Sequence, residues 1–311
     1  MKKLLLGLLM LCGLAQAQPA GDYHQHLFSP AVAETIKVPP ISAADLVALL
    51  DDAGIKRATL LSVAYTFGSP KRSFPDELER VRAENDWTAA QAAKYPGRLI
   101  AFCSFNPLKD YALDELARCA AHPGLKHGIK LHFGNSDVQL ELPAHVERLK
   151  QVFQAANEHH MAIVVHMRAS ISQKRPYGAQ QARIFLEQLL PQAPDVTVQV
   201  AHFAGAGPGY DDPAGEEVMG VLAEAVQQGD PRTRHLMFDI ASIPDGKLTK
   251  EQEQRLVARI RQVGVSRVLY GSDAATGGNL RPREGWAAFL SLPLTKEEVA
   301  TVSANVPPYW R

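Results

Sequence analysis

Cysteine is scarce in this chain, which has three cysteines among 311 residues. One of them lies in an apolar N-terminal segment, so only Cys103 and Cys119 belong to the rest of the sequence. Two cysteines cannot supply the disulfide framework that small, core-poor extracellular domains need. Because both lie in or near apolar segments, we expect two buried thiols, although an exported protein could join them in a bond.

An excess of charge of one sign is also missing. The 33 Lys and Arg residues balance the 33 Asp and Glu residues, and no block of like charge interrupts the sequence. Nucleic-acid-binding and membrane-surface proteins usually carry a clustered basic surface. We therefore expect neither nucleic acid nor a membrane as a partner of the mature protein, and a small molecule instead.

Long hydrophobic runs are limited to the N-terminus. The apolar run over residues 4–14 is too short to cross a bilayer as a helix. Two lysines precede it and the small-x-small sequence Ala15-Gln16-Ala17 follows it, as in a secretory signal peptide. The pattern predicts a signal peptide over residues 1–17 and a soluble, exported, periplasmic chain over residues 18–311.

Short apolar segments rich in β-branched residues recur at regular intervals along the mature chain. Most are continuously hydrophobic, which is typical of strands buried on both faces of a parallel sheet. With a first strand around His24, eight strands are predicted, and the other seven cover Ala58–Val63, Leu99–Phe105, Gly128–Phe133, Met161–His166, Val196–His202, His235–Ala241 and Arg267–Gly271.

Helical patterns lie between these strands. Ser42 is a predicted helix N-cap, and Thr249 and Thr295 each begin a capping box. The remaining predicted helices cover Pro75–Lys94, Tyr111–Ala121, Pro143–His160, Ala179–Leu190 and Gly215–Gln228. No linker divides the chain, so the alternation predicts one α/β domain over residues 18–311, a (β/α)₈ TIM barrel. A doubly wound sheet is less favoured, since no glycine-rich turn follows the first strand and no dinucleotide site is expected.

Five residues with metal or proton chemistry lie at the C-terminal ends of predicted strands. His24 and His26 point to the same side of strand 1 because side chains alternate along a strand. His166, His202 and Asp273 end strands 5, 6 and 8, and these ends meet at one mouth of a barrel. Imidazoles and a carboxylate suit Zn²⁺, with Mn²⁺ or Fe²⁺ as alternatives. Three histidines and the aspartate would hold one metal beside a water, and the fourth histidine would move protons.

These motifs resemble the amidohydrolase superfamily, and within it the branch of aminocarboxymuconate-semialdehyde decarboxylase, related aromatic-acid decarboxylases and lactonases. The resemblance rests on the aspartate before His24-Gln25-His26, the strand-5 histidine, Ala201–Gly205 (AHFAG) and Tyr270–Ala274 (YGSDA), and it covers nearly the whole mature chain. It implies one metal, commonly zinc, bound by four residues: His24, His26, His166 and Asp273. It also implies a catalytic or substrate-polarising role for His202, and a role for Asp273 in accepting the proton of the attacking water.

The number of metals depends on Lys130. This residue and His132 share one face of predicted strand 4. Other members of the superfamily carboxylate a strand-4 lysine to bridge two metals, so a second metal is expected only if Lys130 is carboxylated. A lysine that binds an anionic substrate or pairs with a carboxylate is the alternative, and we favour a single metal. His132 is a candidate substrate contact beside it.

Further substrate contacts are expected on the loops that surround the metal. The loop after strand 5 is basic, and Arg168, two residues after His166, is the first choice for binding a substrate carboxylate. A solvated basic loop is the competing interpretation. Tyr65 and Asn106 follow strands 2 and 3 and are also candidates, and Asp239 in strand 7 is a candidate for holding a metal ligand in place.

The sequence therefore predicts an exported, metal-dependent hydrolase of a small ester, lactone or amide, in which activated water attacks the substrate. The basic loop after strand 5 is compatible with an anionic substrate. One alternative is a non-oxidative decarboxylase of an unsaturated or aromatic acid at the same metal. A second alternative is a periplasmic metal- or ligand-binding barrel without catalysis. The resemblance leaves a homodimer open, because barrels of this superfamily often dimerise.

Overall fold

The computed structural model describes residues 18–310, so the predicted signal peptide lies outside the described residues. Its centre is an eight-stranded parallel sheet in which the strands follow one another in chain order. Helices alternate with the strands, and the predicted (β/α)₈ barrel is confirmed. The strands are β1 (Asp22–Gln25), β2 (Ala58–Leu61), β3 (Leu99–Ser104), β4 (Gly128–His132), β5 (Ala162–His166), β6 (Val198–Val200), β7 (Leu236–Asp239) and β8 (Val268–Leu269).

The helices pack on the outside of the sheet. They are α1 (Pro30–Ile36), α2 (Ala43–Asp52), α3 (Glu77–Ala92), α4 (Ala112–Ala121), α5 (Phe133–Ser136), α6 (Pro143–Glu158), α7 (Ala179–Ile184), α8 (Pro213–Gln227), α9 (Lys250–Val263), α10 (Pro282–Leu290) and α11 (Lys296–Ala304). Ser42, Thr249 and Thr295 cap their helices with reciprocal capping boxes. Within residues 18–310, no helix combines the length and the apolar character needed to cross a membrane.

The strands are buried on both faces because two apolar layers cover them. Leu61, Phe102, Ala162 and Val164 form a small cluster that fills the inside of the barrel. Neighbouring residues on the same strands, such as Cys103, belong to the larger layer between sheet and helices. Alternation along a strand sends successive side chains to these two layers, which is why the strands have continuous apolar sequences.

Backbone hydrogen bonds bring β1 against the segment that follows β8. The amide of Tyr23 donates to the carbonyl of Tyr270 at 2.9 Å, and the amide of Asp273 donates to the carbonyl of His24, also at 2.9 Å. The first and last strands therefore lie side by side. The second of these bonds fixes Asp273 next to the histidines of β1.

Strand 6 ends earlier than the sequence predicts. The predicted strand Val196–His202 was too long, since β6 covers only Val198–Val200. His202, Phe203 and Ala204 have φ values of 52°, 46° and 59°, in the left-handed region that non-glycine residues adopt at a cost of about 1 kcal/mol or more each. The chain thus turns sharply at the point where it presents His202.

The two cysteines of the described chain form a disulfide, so the prediction of two buried thiols was wrong. Cys103 points outward from β3, and Cys119 lies on the side of α4 that packs on β3. Their Cα atoms are 6.2 Å apart, a separation that a disulfide can bridge. Sequence spacing could not reveal this, because it depends on how α4 packs on the sheet.

Candidate metal centre and active site

A cavity of about 260 Å³ opens at the C-terminal ends of the strands. Every predicted metal ligand and the predicted catalytic histidine contribute to its wall. The residues that line it are His24, His26, Phe28, Ile36, Val63, Tyr65, Thr66, Arg72, Lys130, His132, Asn135, His166, His202, Ala206, Asp273 and Thr276. The barrel thus brings together residues from opposite ends of the sequence.

His24 is fully buried between two polar partners. Its Nδ1 lies 3.0 Å from Oδ2 of Asp239, and its Nε2 lies 3.3 Å from Nζ of Lys130. A carboxylate only accepts and an ammonium only donates, so Nδ1 carries the proton and Nε2 carries the lone pair. Asp239 therefore occupies the supporting position predicted for it, with His24 as its partner.

His26 and Asp273 face each other beside His24. Nδ1 of His26 donates to the carbonyl of Leu61 at 2.6 Å, which leaves the lone pair on Nε2. That Nε2 lies 3.7 Å from Oδ1 of Asp273. The Asp273 carboxylate is held in place by the hydroxyl of Thr276 at 2.9 Å and the amide of Asn279 at 3.0 Å.

The donor set fits a divalent cation. Ligand atoms of His24, His26 and Asp273 all lie within 4.8 Å of one another and are buried. Both imidazoles carry their lone pair on Nε2 on the side of the cavity, and second partners hold both rings at Nδ1, as in protein metal sites. Two imidazoles and a carboxylate are ligands that Zn²⁺, Mn²⁺ and Fe²⁺ accept.

His166, the fourth predicted ligand, lies in the same cavity wall but outside this group. Its ring stacks on His132 with the centroids 4.0 Å apart, and its centroid is 5.1 Å from that of His202. It ends β5, whose last residue pairs with the last residue of β4. Its assignment as a ligand stays a prediction.

His202 presents a third free Nε2 to the cavity. Its Nδ1 lies 2.8 Å from the carbonyl of Ala241 and donates to it. Its backbone amide donates to Oδ1 of Asp239 at 2.9 Å, and its ring centroid is 4.6 Å from that of His24. The left-handed turn is thus fixed by Asp239, the same carboxylate that holds His24.

Burial keeps these imidazoles neutral. Burial, helped by the charge of Lys130, lowers the pKa of His24 and of His26 to about 3. Burial and neighbouring positive groups also hold the pKa of His132 and of His166 well below the usual value. Neutral imidazoles are the form that binds metals, so these rings are in the ligand state at neutral pH.

Among residues 18–310, Lys130 is the only lysine that lines the cavity. Only 1% of its surface is exposed, and burial lowers its pKa to about 8 even though Asp239 and Asp273 act in the opposite direction. Its Nζ contacts the same Nε2 of His24 that a metal would use. The side chain therefore shares the place where the predicted metal would bind.

The sequence matches the family model described as amidohydrolase over residues 22–302. The chain belongs to the amidohydrolase family. The match spans all eight strands of the barrel and every residue of the cavity wall. No curated protein matches the sequence.

Solved structures with the same barrel include enzymes of two reaction types. The 5-carboxyvanillate decarboxylase of Sphingomonas paucimobilis is 16% identical, with a TM-score of 0.63 over 92% of this chain and 96% of that one. A manganese-bound dihydroxybenzoic acid decarboxylase of Polaromonas sp. JS666 is 15% identical, with a TM-score of 0.63 over 92% and 95%. A probable 2-pyrone-4,6-dicarboxylic acid hydrolase of Acinetobacter baumannii is 18% identical, with a TM-score of 0.59 over 92% and 96%.

In this amidohydrolase, His132 and Tyr65 also line the cavity. Nδ1 of His132 accepts a hydrogen bond from the backbone amide of Asn135 at 3.3 Å. Its Nε2 therefore carries a proton, whereas Nε2 of His24, His26 and His202 carries a lone pair. The Tyr65 ring lies 5.0 Å from that of His132, and burial raises the pKa of its hydroxyl well above the usual value. Both side chains can donate hydrogen bonds to a bound oxygen.

Two of the predicted substrate contacts, Arg168 and Asn106, do not line the cavity. Nε of Arg168 donates to Asp212 at 2.6 Å, and its guanidinium lies over the ring of Tyr177 at 4.7 Å. Asn106 donates to the carbonyl of Gly68 at 2.7 Å and accepts from the amide of Leu108 at 2.9 Å. Neither lines the cavity, because partners from neighbouring loops engage their polar groups.

Arg72 is a cavity residue that the sequence did not single out. It lies on the loop between β2 and α3 and lines the cavity wall. Within the described part of the chain, no hydrogen bond or ion pair engages its guanidinium. The basic loop after β5 drew attention to Arg168 instead, and a single arginine in an irregular loop gives no comparable signal.

Proposed function

We propose that this amidohydrolase is a metal-dependent decarboxylase of a small aromatic or unsaturated carboxylic acid. The observation that carries the proposal is the charge of the cavity wall. Among the described residues, the wall contains the free guanidinium of Arg72 and the amine of Lys130, and its only carboxylate is that of Asp273. Such a wall favours a carboxylate-bearing substrate. Solved decarboxylases of aromatic acids with the same barrel support this choice.

The proposed metal ligands are His24, His26 and Asp273, with the predicted His166 as the fourth. A divalent cation held there would supply Lewis acidity toward an oxygen of the substrate. The resemblance favours zinc, and a structure with the same barrel contains manganese, so we propose a divalent cation and leave its identity to metal analysis.

The side chains of the cavity supply the remaining chemistry. Arg72 binds a carboxylate of the substrate, and Nε2 of His132 donates a hydrogen bond to a substrate oxygen. The bond between the carboxylate and its carbon breaks, the electron pair stays on that carbon, and carbon dioxide leaves. Nε2 of His202, which carries a lone pair, takes a proton from water and passes it to that carbon, so the product gains a C–H bond and hydroxide remains.

Hydrolysis of a small lactone, ester or amide is the second candidate. A probable hydrolase of a cyclic dicarboxylic acid shares the barrel, and the observation that favours it is the place of Asp273, whose Oδ1 lies 3.7 Å from His26 inside the cavity. There it would accept the proton of an attacking water and return it to the leaving group, and the lone pair on Nε2 of His202 would relay that proton.

Product analysis in labelled water separates the two reactions. The metal-loaded enzyme is incubated with a panel of hydroxybenzoic acids, unsaturated diacids and lactones in H₂¹⁸O. Release of carbon dioxide, with a product that carries a new C–H bond and no ¹⁸O, supports the decarboxylase. Incorporation of one ¹⁸O without carbon dioxide supports the hydrolase. Binding without turnover of any compound would contradict both and favour a non-catalytic barrel.

Metal analysis tests the site itself. We expect about one equivalent of metal in the purified protein and loss of that metal in His26→Ala. Two equivalents that fall to one in Lys130→Met, in buffer containing bicarbonate, would instead indicate a carboxylated lysine. Unchanged metal content in His26→Ala would contradict the assignment.

Export is also proposed rather than established. The signal-peptide pattern over residues 1–17 supports it, and the disulfide between Cys103 and Cys119 fits an oxidising compartment. Mass spectrometry of the protein isolated from a periplasmic extract should give an N-terminus at Gln18. A cytoplasmic protein that keeps Met1 would contradict this proposal.

A further inference from the structure

A line of hydrogen bonds crosses the barrel from the segment after α11 to the metal centre. It begins at Tyr309 and Trp310, which insert beside Thr59 in β2. The ring of Tyr309 packs edge-to-face on Phe102 with the centroids 4.9 Å apart, in the apolar cluster inside the barrel. A polar hydroxyl is therefore carried next to an apolar cluster in the interior, where it needs a partner.

The direction of the first bonds is fixed by Trp310. Its indole Nε1 can only donate and does so to Oγ1 of Thr59 at 2.8 Å. The side chain of Thr59 acts to lower the pKa of Tyr309, although burial raises that pKa overall. The hydroxyl of Tyr309 in turn donates to Oε1 of Gln199 at 2.7 Å.

The side-chain amide of Gln199 connects Tyr309 to Asp239 through hydrogen bonds. With its oxygen facing Tyr309, its amide nitrogen donates to Oδ2 of Asp239 at 2.7 Å and to the carbonyl of Tyr23 at 3.3 Å. A flipped amide would set its oxygen against a carboxylate and a carbonyl. The two acceptors on the side of the metal centre thus require this orientation, and the hydroxyl of Tyr309 stabilises it by donating to the oxygen on the other side.

Asp239 receives four donated hydrogen bonds and has none to give. Oδ2 accepts from Gln199 and from Nδ1 of His24, and Oδ1 accepts from the amides of His202 at 2.9 Å and Ala241 at 3.1 Å. Its position therefore determines which nitrogen of His24 carries the proton and where the Nε2 lone pair points.

We propose that Tyr309 is a positioning residue of the metal centre, which acts through Gln199 and Asp239 to hold His24 in its ligand orientation. The inference rests on the proposed function, because it requires that His24 binds a metal. Tyr309 itself touches neither the cavity nor the metal ligands, and it acts from the half of the barrel opposite the active site.

The test compares Zn²⁺ affinity of the full chain and of Tyr309→Phe by competition with a chelating dye. The phenylalanine keeps the packing on Phe102 and removes only the hydroxyl. We expect about tenfold weaker zinc binding, at the lower end of what outer partners of metal ligands contribute. Tyr111→Phe is the matched control, because it removes a hydroxyl that donates to Glu77 at 2.6 Å, far from the barrel interior.

Thermal unfolding of the metal-free proteins distinguishes a positioning role from a structural one. Lower stability of Tyr309→Phe with unchanged zinc affinity would overturn the inference. Failure of the full chain itself to bind zinc, manganese or iron would overturn the proposed function as well, so the two failures are distinguishable.

Gln199→Met provides a second test at the next link, and it applies even if Tyr309→Phe does not fold. We expect this variant to weaken zinc binding by a similar or larger factor. The double variant with Tyr309→Phe should be no weaker than Gln199→Met alone, because both changes interrupt one line of contacts. The inference would be overturned if Gln199→Met bound zinc as tightly as the natural chain. It would also be overturned if the loss of affinity in the double variant equalled the product of the losses in the two single variants.

Discussion

His24 at the start of the barrel donates a hydrogen bond to Asp239 in β7, and the 3.0 Å contact joins residues that are 215 positions apart in the chain. Burial alone would raise the pKa of Asp239, but the interaction with His24 and the other donated bonds lower it below the ordinary value. The carboxylate is thus a permanent acceptor under the metal centre.

Asp239→Asn should weaken metal binding by about 10- to 100-fold, the usual effect of losing a partner of a metal-ligating histidine. All four neighbours of the carboxylate are donors, so either orientation of an asparagine sets an N–H group against another donor. The measurement is a zinc titration of the folded variant. Asp212→Asn is the control, because its carboxylate pairs with Arg168 outside the cavity wall, and equal losses in both variants would contradict this role of Asp239.

Arg72→Met should lower kcat/KM for an acidic substrate by about 10- to 100-fold, mainly through KM. This is the effect expected from losing a charge-assisted hydrogen bond, roughly 1.5–3 kcal/mol. Metal content should not change. Arg168→Met is the matched comparison, because its guanidinium already pairs with Asp212. A loss in Arg168→Met alone would favour the choice made from the sequence.

Replacement of both Cys103 and Cys119 by alanine should lower the free energy of unfolding by about 3 kcal/mol, the entropic effect expected for a short closed loop. The two cysteines are 16 residues apart. Urea unfolding with and without a reductant provides the measurement. The natural chain should become less stable when it is reduced, and the stability of the double variant should not respond to the reductant. A thiol assay of the natural chain, unfolded without reductant, that detects free thiols would show that the bond does not form.

Glu84 should make the protein less stable as the pH rises. Burial raises its pKa from 4.5 to about 7, and the hydrogen bond from Ser29 only partly offsets this. A carboxyl group with a raised pKa in the folded state contributes stability that is complete below pH 4.5 and is lost as the pH rises to about 7. The loss is about 3 kcal/mol, from 1.36 kcal/mol per pKa unit.

Glu84→Gln should therefore be more stable than the natural chain at pH 8, with an advantage that shrinks as the pH falls toward 4.5. Unfolding free energies across this range test the prediction. Glu115→Gln is the contrasting variant, because the carboxylate of Glu115 accepts hydrogen bonds from Arg82 and Arg118. It should be destabilising at pH 8, and an advantage of Glu84→Gln that does not depend on pH would contradict the argument.

The barrel and its ligand group were predictable because both depend on local patterns. Buried parallel strands have continuous apolar sequences, and polar residues at strand ends must converge where the strands converge. His24, His26 and Asp273 came together for this reason. The extent of β6 was not predictable, since residues 196–202 contain no glycine or proline that would mark the left-handed turn that ends the strand.

Residues on loops were harder to assign. Arg168 follows a predicted ligand by two positions, but its guanidinium donates a hydrogen bond to Asp212 on the next loop. Arg72 lies on a loop without periodic pattern, and its place in the cavity wall depends on how that loop folds over the strand ends. Which of two arginines faces the cavity is decided by contacts between loops, which a single sequence does not encode locally.

The sequence by itself determined the order of strands and helices, the barrel and the chemical identity of the groups at its mouth, because hydrophobic periodicity and strand ends are local properties. Only the tertiary structure decided the tautomers of the histidines, the pairing of Cys103 with Cys119, the free guanidinium of Arg72 and the connection from Tyr309 to His24. Each of these depends on a distance between groups that lie far apart in the chain, and such distances exist only once the barrel has closed.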